Sequence, residues 1–320
     1  MKQVFIFILT AIAMLAPGER LPLNQASDSV ATEGNRVQNV VVIPVEFPDL
    51  KFLENDIVES VNQLFNVRGY SRGGSIGSVS DYIGDNNLPL SVSFLIAEKV
   101  TVAKSSSYYG ANTAHSIDAA ITELVLEASS LAAEAGVDFS NLDGDNDGLI
   151  DHILLFYAGV NESESGLEDR IRPQSGSLSQ LHHFVGNKMM GPYSCCSELG
   201  GKSDNPYFTN IGTICHEYIQ SFGVPDMYDV NDETEGLSNA LYKTLSLMSY
   251  GNFNDKGRTP PLVNAVEREV LGCLEVEDVV VGRNYRLEPI EACNKALRIN
   301  TTTPGEYFLI EYRRGTGWDA

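Results

Sequence analysis

The sequence lacks the features that mark several common classes of protein. After its first 16 residues, no segment is long and apolar enough to cross a membrane, which argues against a membrane span. It contains neither a phosphate-binding loop nor the nucleophile elbow of serine hydrolases. Basic residues are few, since 22 Lys and Arg stand against 43 Asp and Glu, and the net charge is −21. Such an acidic surface disfavours nucleic acids and anionic membranes as partners.

Cysteine is also scarce, and its five positions show no C-x-x-C spacing of the kind found in zinc clusters. An odd number of cysteines leaves at least one thiol free or paired between chains. Cys215 could pair with Cys195 or Cys196, and a buried free thiol is an equal alternative. The sequence leaves the pairing of these residues, and of Cys273 and Cys293, open. A cysteine nucleophile is disfavoured because no matching histidine and carboxylate accompany Cys215.

The N-terminus has a pattern typical of an export signal. A short positive start leads into an apolar run from Val4 to Ala16, and Pro17 follows it. The run is too short to span a bilayer comfortably, so a signal peptide is favoured over a membrane tether or a buried N-terminal strand. We therefore predict a signal peptide over residues 1–17, a linker or remnant pro-segment over 18–37, and a secreted or periplasmic protein.

The remaining chain has the hydrophobic pattern of a globular protein, with 43% hydrophobic residues. Helical and strand periodicities alternate along it. The clearest predicted elements are the strands Val40–Phe47, Leu90–Ile96 and His152–Gly159 and the helices Asp56–Phe65 and His115–Ala135, the second capped by His115. Residues 160–205 are polar and irregular, which is typical of a functional surface or a mobile loop.

One predicted helix carries the strongest chemical signal, in the letters HEYIQ. On a helix, His216 and Gln220 lie one turn apart on the same face, so a metal ion can sit between them. Glu217 is next to the first of these residues and can reach a metal-bound water. The spacing therefore predicts a metal-dependent hydrolytic site.

The residues that follow complete this pattern. Gly223 permits a sharp turn at the helix end and Pro225 prevents the helix from continuing, so the Asp226 carboxylate can return to the same metal. The spacing H-E-x-x-Q-x-x-G-x-x-D resembles the metzincin pattern, in which a methionine turn lies below the metal. Met248 in the letters LMSY suits that turn. By the same resemblance, Tyr250 is a candidate for stabilising the oxyanion.

The resemblance becomes more specific over the whole chain. The segment GTICHEYIQSFGVPDMYD, which ends at Asp229, is similar to the G-T-x-C-H-E-[FY]-x-H-x-x-G-[LV]-P-D-x-Y signature of secreted peptidases related to immune inhibitor A. Further blocks match the same family in the same order: VVIPVEFPDLKF, FNVRGYSRGGSIGSVSDYI, DGDNDGLIDHILLFYAG, SLMSYGNF and EYFLIEYRRGTGWDA. The resemblance covers roughly residues 40–320.

This resemblance implies a secreted zinc metalloendopeptidase. It implies an α/β (α+β) metzincin-like domain over residues 38–320, with a twisted mixed sheet packed on long helices and an irregular lower subdomain. Zinc would be held by His216, Gln220 and Asp226, and Glu217 would act as the general base. The substrate would be a protein or peptide that adds as a strand to the sheet edge, and the protein is expected to be a monomer.

One position departs from the family pattern, because Gln220 stands where the family has histidine. A neutral imidazole is a strong zinc ligand, whereas an amide oxygen is weak and rarely used. Three interpretations remain open. The protein is an active enzyme in which Gln220 or a water completes a weakened site, a pseudoenzyme that binds peptides or partners, or the product of a decaying gene or sequence error. The presence of His216, Glu217 and Asp226 argues against long neutral drift.

A second metal site is predicted in the acidic stretch DGDNDGLID. Its predicted ligands are Asp143, Asp145, Asp147, Asp151 and the backbone carbonyl of Leu149. Carboxylates at alternate loop positions can converge on one Ca²⁺, and Gly148 lets the loop turn. Leu154 stands where an EF-hand has its glutamate, and a strand rather than a helix follows. We therefore predict a structural calcium loop of a kind other than the EF-hand, with a solvated acidic turn as the alternative.

The two ends of the chain also depart from the family pattern. Family members usually carry a longer pro-segment before the first strand. In the family, the final GTGWDA block is followed by more strands, whereas this sequence stops there. The resemblance therefore predicts a C-terminally truncated domain with an unpaired sheet edge.

Overall fold

The computed structural model describes residues 36–228 and 243–320, together with the backbone of residues 6–12. The strands are β1 (Ile6–Ile12), β2 (Arg36–Glu46), β3 (Leu90–Ile96), β4 (Val100–Thr101), β5 (His152–Val160), β6 (Gln174–Ser177), β7 (Phe184–Val185), β8 (Lys188–Met189), β9 (Pro192–Gly200), β10 (Tyr207–Phe208), β11 (Glu275–Asp278), β12 (Lys295–Asn300) and β13 (Tyr307–Arg313). The α-helices are α1 (Ile57–Asn66), α2 (Val79–Asp85), α3 (Ser106–Tyr109), α4 (Ile121–Glu134), α5 (Glu162–Ser165), α6 (Ile211–Gln220), α7 (Ala265–Val270) and α8 (Ile290–Cys293).

A seven-stranded mixed sheet forms the centre of the fold. Its strands follow the order β10, β9, β5, β2 and β3, while β4 pairs with β2 and β6 pairs with β9. β2 runs parallel to β3, β4 and β5, and β5 runs parallel to β9. The short strands β6 and β10 run antiparallel to β9. Parallel neighbours need crossover connections, and helices α1, α2 and α4 lie in those connections.

Both faces of this sheet are covered, which explains the unbroken apolar run of β2. Successive side chains of a strand point to opposite faces. Val40 and Val42 pack in one core with residues of α1, α2 and α6. Val41 and Ile43 pack in a second core with residues of α4. A strand buried on both faces is apolar throughout rather than alternating.

A smaller four-stranded sheet has the order β1, β13, β12 and β11, with β11 parallel to β12 and the other pairs antiparallel. The buried guanidinium of Arg268 on α7 links the part of the fold with the four-stranded sheet to the core that contains Val40 and Val42. It donates to the carbonyls of Val263 and Asn86 at 2.8 and 2.9 Å. Because these donors are buried, each carbonyl they satisfy helps to fix the relative position of the two parts.

Two of the predicted elements are wrong in extent. The predicted helix from His115 begins only at Ile121, because Asp118 adopts a left-handed φ of 45° and breaks the helical path. Ala120 is the residue before the helix, and His115 lies exposed in a loop, so it caps nothing. Residues 160–205 are not irregular throughout, because they contain β6 to β9 and most of the strand contacts of β9.

The predicted strands of the main sheet and its α/β fold class are confirmed. β3 has the predicted bounds, and β2 and β5 contain nearly all of theirs. None of the described helices is long and apolar enough to cross a membrane. Residues 6–12 of the predicted signal peptide form β1, as in the alternative of an N-terminal strand, whereas residues 1–5 and 13–35 lie outside the described residues. The signal peptide and the linker therefore remain predictions.

Candidate metal centre and peptide cleft

Helix α6 carries two of the three predicted zinc ligands, His216 and Gln220, and packs against the segment that follows Met248. Gly212 allows this close approach, since a Cβ at that position would lie 1.9 Å from the carbonyl oxygen of Asn252. The helix ends at Gln220, whose carbonyl accepts from the Gly223 amide at 2.8 Å. Gly223 has a φ of 89°, which favours glycine, and the turn that it makes brings Asp226 back towards the helix.

His216 and Asp226 face each other at the end of this turn. The Nε2 atom of His216 lies 3.1 Å from Oδ1 of Asp226. The opposite ring nitrogen, Nδ1, lies 2.8 Å from the carbonyl oxygen of Leu247, which orients the ring. Burial alone would lower the pKa of His216, but the hydrogen bond with Asp226 and the charge of Glu217 raise it to about 9. The neighbouring carboxylates thus favour the protonated form of the His216 ring.

Glu217 lies beside this pair and is almost completely buried. Its Oε2 atom has no hydrogen-bond partner among the described residues. Burial raises the pKa of Glu217 to about 7, which the charge of His216 opposes and that of Asp226 supports. A carboxylate that titrates near neutral pH is suited to accept and return a proton.

Gln220 reaches the same cavity but is engaged elsewhere. A cavity of about 260 Å³ is lined by His216, Glu217, Gln220 and Asp226. The Oε1 atom of Gln220 accepts a hydrogen bond from Ser175 Oγ at 2.9 Å. The structure therefore brings the three predicted ligands to one cavity, with the amide oxygen already bonded to β6.

Met248, the methionine of the predicted turn, is fully buried. Its carbonyl accepts from the amide of Met227 at 2.7 Å, which ties the turn to the segment that carries Asp226. Its own amide donates to Oε1 of Glu267 at 3.0 Å. Glu267 is a buried residue of α7, so α7 supports the floor of the site.

Two tyrosines form the far side of the cleft. Tyr250 is 41% exposed, and its ring stacks on that of Tyr228 with centroids 5.9 Å apart. Both line a second cavity of about 160 Å³, which also reaches His216 and Glu217. Burial raises the pKa of Tyr228 to about 12, so its hydroxyl stays protonated. Pro225 is exposed after the helix, and Asp229, the last residue of the predicted motif, lies outside the described residues.

The acidic loop is partly assembled for a cation. Carboxylate oxygens of Asp143, Asp145 and Asp151 lie within 4.8 Å of one another. Asp147 is not in this group, and its Oδ1 atom accepts from the Leu149 amide at 2.8 Å.

The buried carboxylates of this loop already have partners on the protein. Asp143 is bonded to the ammonium group of Lys188. Oδ2 of Asp151 accepts from the amides of Asn39 and Gly144 at 2.7 and 2.8 Å. The positive φ of Gly148, 92°, matches its predicted role in the turn.

Sequence reasoning missed three residues of the cleft: Arg172, Ser175 and Tyr228. Arg172 and Tyr228 line both cavities, and Ser175 bonds the predicted ligand. Only Tyr228 had a signal, as the tyrosine of the P-D-x-Y motif. Arg172 and Ser175 come from the polar segment whose strand was not predicted.

Of the cysteines, all five are free thiols, Cys215 is buried, and Cys195 and Cys196 pack in the two cores on opposite faces of the sheet.

Residues 27–269 match the family described as "Immune inhibitor A peptidase M6, catalytic domain". The chain is 26% identical over 264 residues to the pre-pro-metalloprotease PrtV of Vibrio cholerae serotype O1 (strain M66-2), covering 71% of this chain and 28% of that protein. It is 24% identical over 294 residues to immune inhibitor A of Bacillus thuringiensis subsp. alesti, covering 78% of this chain and 42% of that protein. The chain thus spans less than half the length of either relative. With three quarters of its sequence inside the family match and the site of α6 within it, the chain belongs to the immune inhibitor A family of M6 metallopeptidases.

Proposed function

We propose that this chain is an exported zinc-dependent endopeptidase that cleaves proteins or peptides in the cleft beside α6. The observation that carries the proposal is the approach of His216 Nε2 to Asp226 Oδ1, 3.1 Å, with the buried carboxylate of Glu217 beside them. Two ligands of one tetrahedral zinc ion, each about 2.1 Å from the metal, are about 3.4 Å apart. The spacing of these two side chains therefore fits a shared zinc ion with little movement.

The third ligand is the weak part of the proposed centre. Gln220 offers an amide oxygen, which is a poor zinc ligand, and that oxygen now accepts from Ser175. His216 is held by Leu247 in the tautomer that leaves Nε2 for a metal when Nδ1 carries the proton. We infer a site with two strong ligands and one weak one, and a lower zinc affinity than three strong ligands give.

The roles of the other residues follow from their positions. A bound zinc ion would polarise the scissile carbonyl and make a water molecule more acidic. Glu217 accepts the proton of the attacking water and returns it to the leaving amine. Tyr250 and the protonated hydroxyl of Tyr228 lie on the far side of the cleft, where they stabilise the developing oxyanion.

We propose that the substrate lies extended along β6. This strand borders the cavity of Gln220 through Gln174 and Ser175. Among the described residues, β9 is its one strand partner. An extended peptide can pair with the free edge of such a strand and be held by main-chain hydrogen bonds. A monomeric protein leaves this edge accessible.

The test is zinc content and casein cleavage of the purified full chain, compared with Gln220→His and His216→Ala. Gln220→His supplies a strong third ligand, so its zinc affinity should rise by about 100-fold, and cleavage should rise with it. His216→Ala should lose both. Substoichiometric zinc and no cleavage in the original chain, even with excess zinc, would overturn the proposal that this chain is an enzyme.

The hydrogen bond between Ser175 and Gln220 favours a second candidate, a peptide-binding protein with little or no activity. In this case labelled peptides bind the full chain without being cleaved, and zinc does not change their affinity. Activity that appears only in Gln220→His would support this candidate, because it would show that the rest of the site is intact.

We further propose that the loop of Asp143, Asp145 and Asp151 binds a structural calcium ion. Lys188 already neutralises Asp143, but Asp145 and Asp151 lie within 4.8 Å of it, so a further cation would reduce the repulsion among the three carboxylates. Added Ca²⁺ should raise the melting temperature of the chelator-treated protein, and Asp145→Asn should reduce that rise. An unchanged melting temperature in millimolar Ca²⁺ would leave the loop as a solvated acidic turn.

Export remains a proposal drawn from the N-terminal sequence. Expression with the N-terminus intact should release a protein cut near Ala16, and N-terminal sequencing of that protein would identify the cleavage site. Retention of Val4 in the released protein would contradict the proposal.

A further inference from the structure

Arg172 occupies a central position in the cleft that the reaction itself does not require. It lines both cavities that meet at His216 and Glu217. Among the described residues lining these cavities, Arg172 is the one permanent cation. The other ionisable groups in the lining, apart from tyrosines, are His216 and the carboxyl groups of Glu164, Glu217 and Asp226.

The main chain of Arg172 is held firmly from behind the cleft. Its amide donates to Oδ2 of the buried Asp118 at 2.9 Å. Its carbonyl accepts from Nε2 of Gln174 at 3.3 Å. The preceding residue, Ile171, is buried, and its carbonyl accepts from the Tyr157 hydroxyl at 2.7 Å. The side chain therefore projects from a fixed point, which lowers the entropic cost of using it in binding.

The guanidinium of Arg172 has no fixed partner in the part of the chain that the structure describes. Within residues 36–228 and 243–320 it makes no hydrogen bond and no ion pair, although Glu217 and Asp118 are near enough to interact with its charge. Arg268 shows the contrast, since its buried guanidinium donates to the carbonyls of Val263 and Asn86. A half-buried arginine without such partners favours a carboxylate that it can bind through two parallel N–H···O bonds.

We propose that Arg172 binds an acidic side chain of the substrate, next to the scissile bond. A peptide extended along β6 would pass Glu217, and Arg172 lines the same two cavities as Glu217. The net charge of −21 repels acidic peptides at long range, but salt screens that repulsion beyond about 8 Å at physiological ionic strength. At short range, the contact with Arg172 therefore decides whether the cleft prefers acidic or neutral peptides. This inference rests on the proposed function only in taking this cleft as the peptide site.

The test measures peptide binding separately from cleavage. Short dye-labelled peptides carry one Glu, moved along an otherwise neutral sequence, and are paired with Gln peptides of the same length. Fluorescence anisotropy with the full chain gives the affinities, and the same peptides are then assayed for cleavage. We expect about 10-fold tighter binding of a Glu peptide at one position, or about 1.4 kcal/mol, because a hydrogen bond to a charged group is stronger than one to a neutral amide.

Variants identify the residue responsible. Arg172→Gln should remove the preference, Arg172→Lys should keep part of it, and Arg172→Glu should reverse it towards Lys peptides. Arg68→Gln is the matched control, because Arg68 is exposed, lies outside both cavities and loses the same charge. Equal affinity of Glu and Gln peptides for the unaltered chain, or a preference that survives Arg172→Gln, would overturn the inference.

The outcomes for binding and cleavage are separable. Acid-dependent binding without cleavage would contradict the proposed enzyme and support Arg172 as the binding residue. Cleavage without any preference for acidic peptides would support the proposed enzyme and contradict the role of Arg172. Because the comparison of Glu and Gln peptides uses the unaltered protein, it decides the matter even if a variant fails to fold.

Discussion

The buried carboxylate of Asp118 should destabilise the protein at neutral pH, and Asp118→Asn should remove that cost. Asp118 is 0% exposed and adopts a left-handed φ of 45°. Its Oδ2 atom accepts from the Arg172 amide and from Nε2 of Gln174, at 2.9 and 2.6 Å. Its Oδ1 atom has no partner among the described residues. Asparagine keeps one oxygen for the two donors, tolerates the left-handed backbone and removes the charge.

The size of the effect follows from the pKa. Burial raises the pKa of Asp118 from its usual 3.8 to about 6, although the hydrogen bond from Arg172 opposes the rise. A raised carboxyl pKa means that the folded state holds its proton more tightly, so stability falls as the pH rises from about 4 to about 6. One pKa unit corresponds to about 1.4 kcal/mol, so the cost is about 1.6 kcal/mol at pH 5 and about 3 kcal/mol at pH 8.

Urea unfolding of the original chain and Asp118→Asn at pH 5 and pH 8 tests this reasoning. The variant should be more stable at both values, and its advantage should be about 1.4 kcal/mol larger at pH 8. Asp49→Asn is the control, and it should change the stability in the opposite direction. Burial alone would raise the pKa of Asp49, but hydrogen bonds from Ser106 lower it. A destabilised Asp118→Asn, or an advantage that does not grow with pH, would refute the buried-charge account.

Two further predictions concern the floor of the site and the packing of α6. Glu267→Ala should lower the free energy of unfolding by about 3–5 kcal/mol and weaken metal binding, because it leaves buried donors such as the Met248 amide without a partner. Glu267→Gln should cost less. Urea unfolding measures the stability of both variants, and zinc titration measures their metal binding. Gly212→Ala should cost about 2 kcal/mol or more, because its Cβ would meet the Asn252 carbonyl, whereas Gly84→Ala, on α2 with open space around it, should be neutral or slightly stabilising. Similar melting temperatures for these two glycine variants would contradict the close-packing argument.

The hydrophobic pattern predicted the central strands well and missed the polar one. The apolar runs 40–45 in β2 and 153–160 in β5 mark these two strands, and the predicted strands lie almost wholly within the observed ones. β9 is buried as well, but it contains Ser194 and Glu198, whose polar atoms are satisfied by long-range hydrogen bonds. Ser194 bonds to His152 at 2.8 Å, and Glu198 accepts the Leu53 amide at 2.7 Å. Such partners are distant in sequence, so a local pattern contains no sign of them.

The sequence by itself identified the family and three residues of the candidate site, His216, Glu217 and Asp226. It could do so because their spacing on a helix and the turn after it is a local property. It also identified Gln220 as the position where the family pattern has histidine. Only the tertiary structure decided what surrounds those groups: Ser175 bonds the Gln220 amide, and Arg172 lines both cavities. These contacts join segments 45 residues apart or are made across a cleft, and they depend on how β6 packs beside α6. Local spacing fixes which side chains share a helix face, whereas their partners are fixed by the packing of the whole chain.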